Sequence, residues 1–87
     1  MYTVYILYSA CLDSYYIGST SDLEGRLHRH LTNHNGYTGR AKDWVIVYTE
    51  KFETKVAAQL REKEIKSWKA RSRIDRLIGS FGSAHSD

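Results

Sequence analysis

The chain has 87 residues and a formal net charge of +3. This length suits one domain with one modest core, and it leaves no room for a catalytic module joined to a separate sequence-reading module. The only cysteine, Cys11, excludes an internal disulfide, fits a reducing cytoplasmic setting, and is expected to be a buried free thiol. No apolar run approaches the roughly 20 residues of a membrane span, and the first residues lack a basic flank. Secretion and membrane insertion are therefore not expected.

The first predicted elements form a β-hairpin. Residues 3–9 are rich in β-branched and aromatic types, which favours a strand. Residues 12–14 supply a turn, and residues 14–18 form the partner strand, which ends at Gly18. Because side chains alternate along a strand, each strand of the hairpin presents one tyrosine, Tyr5 or Tyr16, on the face opposite its neighbours.

A helix is predicted next, over residues 22–32. Ser21 and Glu24 have the spacing of a capping box, with serine as the N-cap. Gly25 lies inside this helix and weakens it by about 1 kcal/mol relative to alanine, so packing must hold it. The predicted core stripe consists of Leu23, Leu27 and Leu31.

The second half of the chain predicts a strand and two helices. Residues 32–42 read as a connection, and residues 44–52 form the densest apolar run, which predicts the central or most buried strand. Thr54 is expected to cap a helix that continues to Ala70, and a short last helix is predicted over residues 72–78. The apolar side of the longer helix would contain Val56, Ala57, Leu60, Ile65 and Trp68. The domain would thus span residues 1–78, with 79–87 as a flexible tail.

Positive charge is concentrated in one segment. Residues 61–76 carry seven Lys or Arg against three Asp or Glu, a balance of +4, whereas the rest of the chain sums to −1. Such a segment can be a phosphate-facing surface or simply a solvated helix face. The candidate nucleic-acid contacts are Arg29, Lys63, Lys66, Lys69, Arg71 and Arg73.

Candidate catalytic groups gather in the first thirty residues. Cleavage of a phosphodiester needs an activated water, positive charge on the phosphate and usually a divalent ion held by a carboxylate. Arg26 and His30 are four residues apart and share one helix face. The charge of Arg26 would favour the phenolate form of a nearby tyrosine and would bind phosphate oxygens. Tyr5 and Tyr16 can equally be structural, since most tyrosines of a small domain belong to its core or rim.

In combination, these residues resemble the GIY-YIG nuclease family. Thr3-Val4-Tyr5 stands at the position of the first family motif, and Tyr16-Ile17-Gly18 matches the second. Arg26 and His30 resemble the arginine and histidine of the family's first helix, and Glu62 resembles its metal-binding glutamate. The similarity extends from Thr3 to about Ile78.

The resemblance implies an α+β fold, with a three-stranded antiparallel sheet flanked by three or four helices. It also implies hydrolysis of DNA with one Mg²⁺ or Mn²⁺ ion bound by Glu62. Tyr5 would be the base or assist it, Tyr16 would organise water and phosphate, and Arg26 would stabilise the transition state. His30 would orient or deprotonate a tyrosine, or contact phosphate. Relatives of this kind act in DNA repair and recombination.

Three departures from the family pattern leave alternatives open. Thr3 replaces a glycine, no asparagine follows Asn35, and Glu64 competes with Glu62 as the metal ligand because helical phase places Glu64 within the apolar arc. The leading hypothesis is a structure-dependent or weakly specific DNA endonuclease whose five catalytic residues meet on one concave surface. A non-catalytic nucleic-acid-binding module and a purely structural domain are the alternatives. RNA as substrate, a homodimer and a targeting partner protein also remain open.

Overall fold

A three-stranded antiparallel sheet organises the chain, in a computed structural model that describes residues 1–32, 37–68 and 70–85, without the side chains of 37, 38 and 81–85. The strands are β1 (Tyr2–Ser9), β2 (Ser14–Thr20) and β3 (Val45–Phe52), in the order β2-β1-β3. The helices are α1 (Leu23–Thr32), α2 (Lys55–Lys66) and α3 (Arg71–His85), with a short 3-10 helix at Tyr37–Arg40. The predicted α+β class and sheet are confirmed.

The two faces of β1 build two separate cores. Val4 and Ile6 are fully buried, and they pack with Tyr48 and with Ala58, Ile65 and Ile74 of α2 and α3. Tyr5 and Leu7 are also fully buried, but they join Trp44, Ala41 and the leucines of α1. Since successive side chains of a strand point to opposite faces, α1 covers one face of the sheet and α2 with α3 covers the other.

The prediction of a central strand over residues 44–52 is wrong. The structure has β1 in the centre, paired with both neighbours, while β3 lies at an edge. Val45 and Ile46 at the start of β3 are 53% and 38% exposed. Apolar density indicated a strand correctly, but the position of a strand within a sheet depends on its pairing, which composition does not encode.

Helix α1 begins at Leu23, one residue later than predicted. Asp22, not Ser21, is the N-cap: its Oδ1 accepts a hydrogen bond from the Gly25 N–H at 3.1 Å. The Asp22 carboxylate occupies the space that a side chain at position 25 would need. This explains why a glycine stands inside the helix. The predicted stripe of Leu23, Leu27 and Leu31 packs on the Tyr5 core as expected.

The buried side of helix α2 agrees only in part with the predicted one, since Ile65 is buried as expected. Thr54 is the N-cap as predicted, accepting a hydrogen bond from the Ala57 N–H. Val56 and Leu60 nevertheless face solvent, at 65% and 63% exposure. The sheet-facing stripe contains Ala58 and Ile65, with Arg61 and Glu62 half-buried between them. The pattern of apolar residues therefore did not predict which face of α2 packs against the sheet. The helix also ends at Lys66 instead of continuing to Ala70.

Two smaller differences complete the comparison. Helix α3 continues through His85, beyond the predicted end at Ile78, in a segment with no proline to interrupt its backbone hydrogen bonds. Cys11 is exposed and not buried, because it lies in the turn between β1 and β2. Among the described residues, none of the helices has the length and apolar character of a bilayer-spanning segment.

Candidate active site

Two tyrosines and a histidine contact one another on the α1 face of the sheet. The Tyr5 hydroxyl lies 2.9 Å from Nε2 of His30. The Tyr16 ring centroid is 6.3 Å from that of Tyr5 and 4.8 Å from that of His30, the latter in an edge-on arrangement. Tyr5 is fully buried and His30 is 7% exposed. The structure therefore brings together three of the five predicted catalytic residues, which we call the aromatic trio.

The environment of Tyr5 and His30 favours their neutral forms. Burial raises the pKa of Tyr5 well above its ordinary value of 10.0; Tyr16 and Glu62 act in the same direction, and Arg26 opposes them. Burial and the charge of Arg26 lower the pKa of His30 below 6.5. The expectation that Arg26 favours a phenolate at Tyr5 is therefore wrong in net effect, because desolvation outweighs the nearby cation. At neutral pH a buried phenol faces a neutral imidazole.

The close packing around Gly18 explains why the second motif ends in glycine. It lies opposite Tyr5 in the β1–β2 pairing. A Cβ atom at position 18 would come within 2.6 Å of the Tyr5 hydroxyl oxygen and 3.2 Å of the Tyr16 ring. Only glycine lets the strand backbone approach the two tyrosines this closely.

Arg26 lies at the mouth of a cleft between α1, β2 and α2. This cleft has a volume of about 410 Å³ and also contains Ser19 and Thr20 at the end of β2 and Lys55 and Gln59 of α2. A smaller cleft of about 210 Å³ joins Arg26 to Arg29, which is exposed. Arg26 and Lys55 thus give the larger cleft a positive lining, which is suited to phosphate.

Glu62 approaches β2 from the other side of the sheet. Its Oε1 accepts a hydrogen bond from the Ser19 hydroxyl at 2.6 Å, and its Oε2 pairs with Lys66 Nζ at 2.6 Å. Its side chain is 20% exposed and lines a cleft of about 440 Å³ with Lys63 and Gln59. Within the described part of the chain, no three His, Cys, Asp or Glu side chains are close enough to hold a metal ion together.

Glu64 occupies a different environment. Its carboxylate pairs with Arg61 at 2.9 Å, and 56% of its side chain is exposed. Glu64 is therefore outside the buried stripe of α2, contrary to its predicted helical phase, and Glu62 is the glutamate that faces the sheet.

The five predicted residues meet around an edge and not on one face. The trio lies under α1, whereas Glu62 extends from α2, which covers the opposite face. Strand β2 connects them, because Gly18 contacts Tyr5 and the next residue, Ser19, binds Glu62. The charges of Arg26 and Glu62 both act on the Tyr5 phenol. Gln59 lines both of the larger clefts.

The candidate nucleic-acid contacts divide into paired and unpaired cations. Lys66 pairs with Glu62, and Arg71 pairs with Asp13 at 2.8 Å. Arg29 and Lys63 are exposed and line clefts beside Arg26 and Glu62. Arg73 lies against the Trp68 ring. Lys69 is outside the described residues.

Sequence reasoning missed the polar residues that join the two sides of the sheet. Ser19 follows Gly18 directly, and strand alternation would have placed it on the face opposite Tyr5. Lys55 and Gln59 gave no such signal, because their contribution depends on the orientation of α2, which the apolar pattern misplaced.

A glycine-backed tyrosine pair, an arginine on the first helix and a sheet-facing glutamate on a later helix define a class of catalytic domain. The sequence of this chain matches the GIY-YIG catalytic domain over residues 1–75, so the chain belongs to that family.

Two relatives place the chain among small proteins of the family. It is 38% identical over 77 residues to the UPF0213 protein NP_0776A of Natronomonas pharaonis, an alignment that covers 86% of this chain and 87% of the relative. The solution NMR structure of the UPF0213 protein BH0048 from Bacillus halodurans superimposes with a TM-score of 0.57 and 28% identity. That match covers 91% of this chain and 84% of the other.

Proposed function

We propose that this protein is a metal-dependent DNA endonuclease that hydrolyses phosphodiester bonds with weak or structure-dependent specificity, in repair or recombination. Membership of the GIY-YIG family supports the reaction class. The observation that carries the proposal for this chain is the position of Glu62: an acidic side chain faces the sheet while Val56 and Leu60 of the same helix face solvent. A helix shaped only by packing would reverse that arrangement.

The donor set fits a single hard divalent cation. Glu62 supplies one carboxylate, the ligand type that Mg²⁺ and Mn²⁺ prefer, and such ions commonly keep water and substrate phosphate as their other ligands. Ser19 would hold one carboxylate oxygen in place, and Lys66 would have to release the other. A bound ion would supply charge neutralisation at the phosphate and a more acidic water.

Arg26 and the aromatic trio account for the remaining roles. Arg26, with Lys55 nearby, would bind the phosphate in the cleft beside Ser19 and stabilise its transition-state charge. In the neutral Nδ1–H form of His30, Nε2 accepts a hydrogen bond from the Tyr5 hydroxyl. The buried Tyr5 would act as a proton-holding phenol that orients the site, and Tyr16, which is half-buried, is the tyrosine better placed to meet water or phosphate.

The test is cleavage of supercoiled, flapped and four-way DNA with Mg²⁺ or Mn²⁺, with and without chelator. Glu62→Ala is compared with Glu64→Ala, which removes a carboxylate two positions away on the exposed side of α2. We expect metal-dependent cleavage by the parent and by Glu64→Ala, and none by Glu62→Ala. Cleavage that persists in chelator would exclude this mechanism, and a reversed order of the two variants would move the metal ligand to Glu64.

A non-catalytic nucleic-acid-binding module is the second candidate. Both Glu62 oxygens have protein partners, and the Tyr5 hydroxyl is buried against His30. A structural role would therefore account for both residues without catalysis. Binding without cleavage of any of the three DNA forms, in either metal, would favour this module.

A further inference from the structure

A second positively charged cleft lies beside the connection between α2 and α3. It has a volume of about 290 Å³ and is lined by Trp68, Arg73, Arg76, Leu77 and Ser80. The four residues of α3 in this set follow the spacing of one helix face. None of these side chains belongs to the site around Arg26 and Glu62.

The arginines of this cleft differ from their basic neighbours in their partners. Arg61 pairs with Glu50 and Glu64, and Arg71 pairs with Asp13. By contrast, no carboxylate among the described residues lies within ion-pair distance of Arg73 or Arg76. Both side chains are exposed, so their charge is available to an anion from solution.

Trp68 gives the cleft a rigid wall. The guanidinium carbon of Arg73 lies 4.6 Å from the Trp68 ring centroid, and that of Arg61 lies 5.6 Å from it. A guanidinium held on an aromatic ring loses less rotamer freedom when it binds a ligand. The half-buried Trp68 and Leu77 add apolar surface beside the two charges.

We propose that this cleft is a second contact for the nucleic acid, in which Arg73 and Arg76 bind a backbone phosphate and the sugar lies against Trp68 and Leu77. The inference rests on the proposed function for its ligand. Arg61, the residue next to Glu62 in α2, has its guanidinium carbon 5.6 Å from the Trp68 ring centroid, so the cleft is near enough to Glu62 for one bound strand to reach both. The contact would strengthen binding without taking part in the reaction.

The experiment measures binding of a fluorescently labelled flapped DNA, in chelator, at several salt concentrations. Arg73→Gln and Arg76→Gln are each compared with Lys51→Gln, which removes the same charge from an exposed position of β3. Each arginine variant should weaken binding about five- to tenfold and lower the salt slope by about one. Lys51→Gln should change the affinity less than about twofold. Thermal melting confirms that each variant folds.

A second readout separates this contact from the catalytic site. With metal, the DNA concentration that gives half-maximal cleavage should rise in both arginine variants by the same factor as their loss of affinity. Tryptophan emission should change on binding and lose that change in Trp68→Phe, since Trp44 is only 2% exposed. Parental cleavage with unaltered affinity in both arginine variants would overturn this inference and leave the proposed function standing. A parent protein that neither binds nor cleaves DNA would overturn both.

Discussion

The two faces of the sheet place functional side chains in opposite physical states. Under α1, Tyr5 and His30 are buried in an environment that favours their neutral forms, and the half-buried Tyr16 packs beside them. Under α2, the Glu62 carboxylate accepts a hydrogen bond from Ser19 and forms an ion pair with Lys66 close to solvent. Strand β2, at an edge of the sheet, connects the two groups, because Gly18 contacts Tyr5 and Ser19 binds Glu62.

This difference separates groups that can shape a site from groups that can bind a phosphate. A buried neutral pair has no free charge to offer an anion, but the hydrogen bond between Tyr5 and His30 links α1 to β1. Exposed and half-exposed charges such as Arg26 and Glu62 can contact phosphate or metal directly. We therefore expect substitutions on the two sides of β2 to affect different measurements.

Arg26→Lys should have the largest effect on catalysis. Lysine keeps the charge but loses the planar pair of hydrogen bonds to phosphate oxygens, so the cleavage rate should fall by about 10²-fold or more while DNA affinity changes little. Single-turnover cleavage measures the rate. Arg29→Lys, on the same helix and exposed, is the control. Equal rates for parent and Arg26→Lys would remove Arg26 from the reaction.

Gly18→Ala should have the largest effect on stability. The added methyl would meet the Tyr5 hydroxyl at 2.6 Å, and overpacking of this kind costs about 1–3 kcal/mol. Gly79→Ala is the opposite control, because a Cβ at that helical position meets nothing within 4 Å and should stabilise α3 by about 0.5–1 kcal/mol. Denaturant unfolding measures both. A neutral Gly18→Ala would show that the close approach of β2 to the tyrosines is dispensable.

Ser19→Ala should reduce activity more modestly, by about tenfold, because it removes a hydrogen bond that orients Glu62 and not the carboxylate itself. As a positioning residue, Ser19 should also affect the concentration of Mn²⁺ needed for half-maximal cleavage, and Ser19→Thr should restore it. Ser72→Ala, an exposed serine on α3, is the matched control. An unchanged metal requirement in Ser19→Ala would limit Ser19 to a structural role.

The sequence alone predicted the elements and the trio better than their arrangement. The α1 stripe and the Thr54 cap followed from local patterns that depend on near neighbours, and the α+β class followed from the family resemblance. The central position of β1 and the phase of α2 depend on pairing between distant segments, so apolar density misplaced both. For the same reason the hydrogen bond from Ser19 to Glu62 could not be anticipated.

The smallest effect is the pH dependence of the trio. The pKa of His30 is lowered in the folded protein, so the unfolded chain binds a proton first as the pH falls through about 6.5. The contribution of His30 to stability is therefore complete above pH 6.5 and is lost below it. The slope cannot exceed about 1.4 kcal/mol per pH unit for one proton. Asp13, whose pKa Arg71 lowers to about 2, keeps its contribution throughout this range and loses it only as the pH falls below its ordinary value of 3.8.

At alkaline pH, the dependence of stability on pH has the opposite sign. The pKa of Tyr5 is raised above 10.0, so the unfolded chain loses its proton first and stability falls as the pH rises past 10. Tyr15 and Tyr48 share this direction, so Tyr5→Phe should reduce the alkaline loss without abolishing it. His30→Gln should flatten the free energy of unfolding between pH 5 and 7 while the alkaline slope persists. If His30→Gln leaves the slope between pH 5 and 7 intact, His30 is not held neutral, and the contrast between a neutral face and a charged face does not hold.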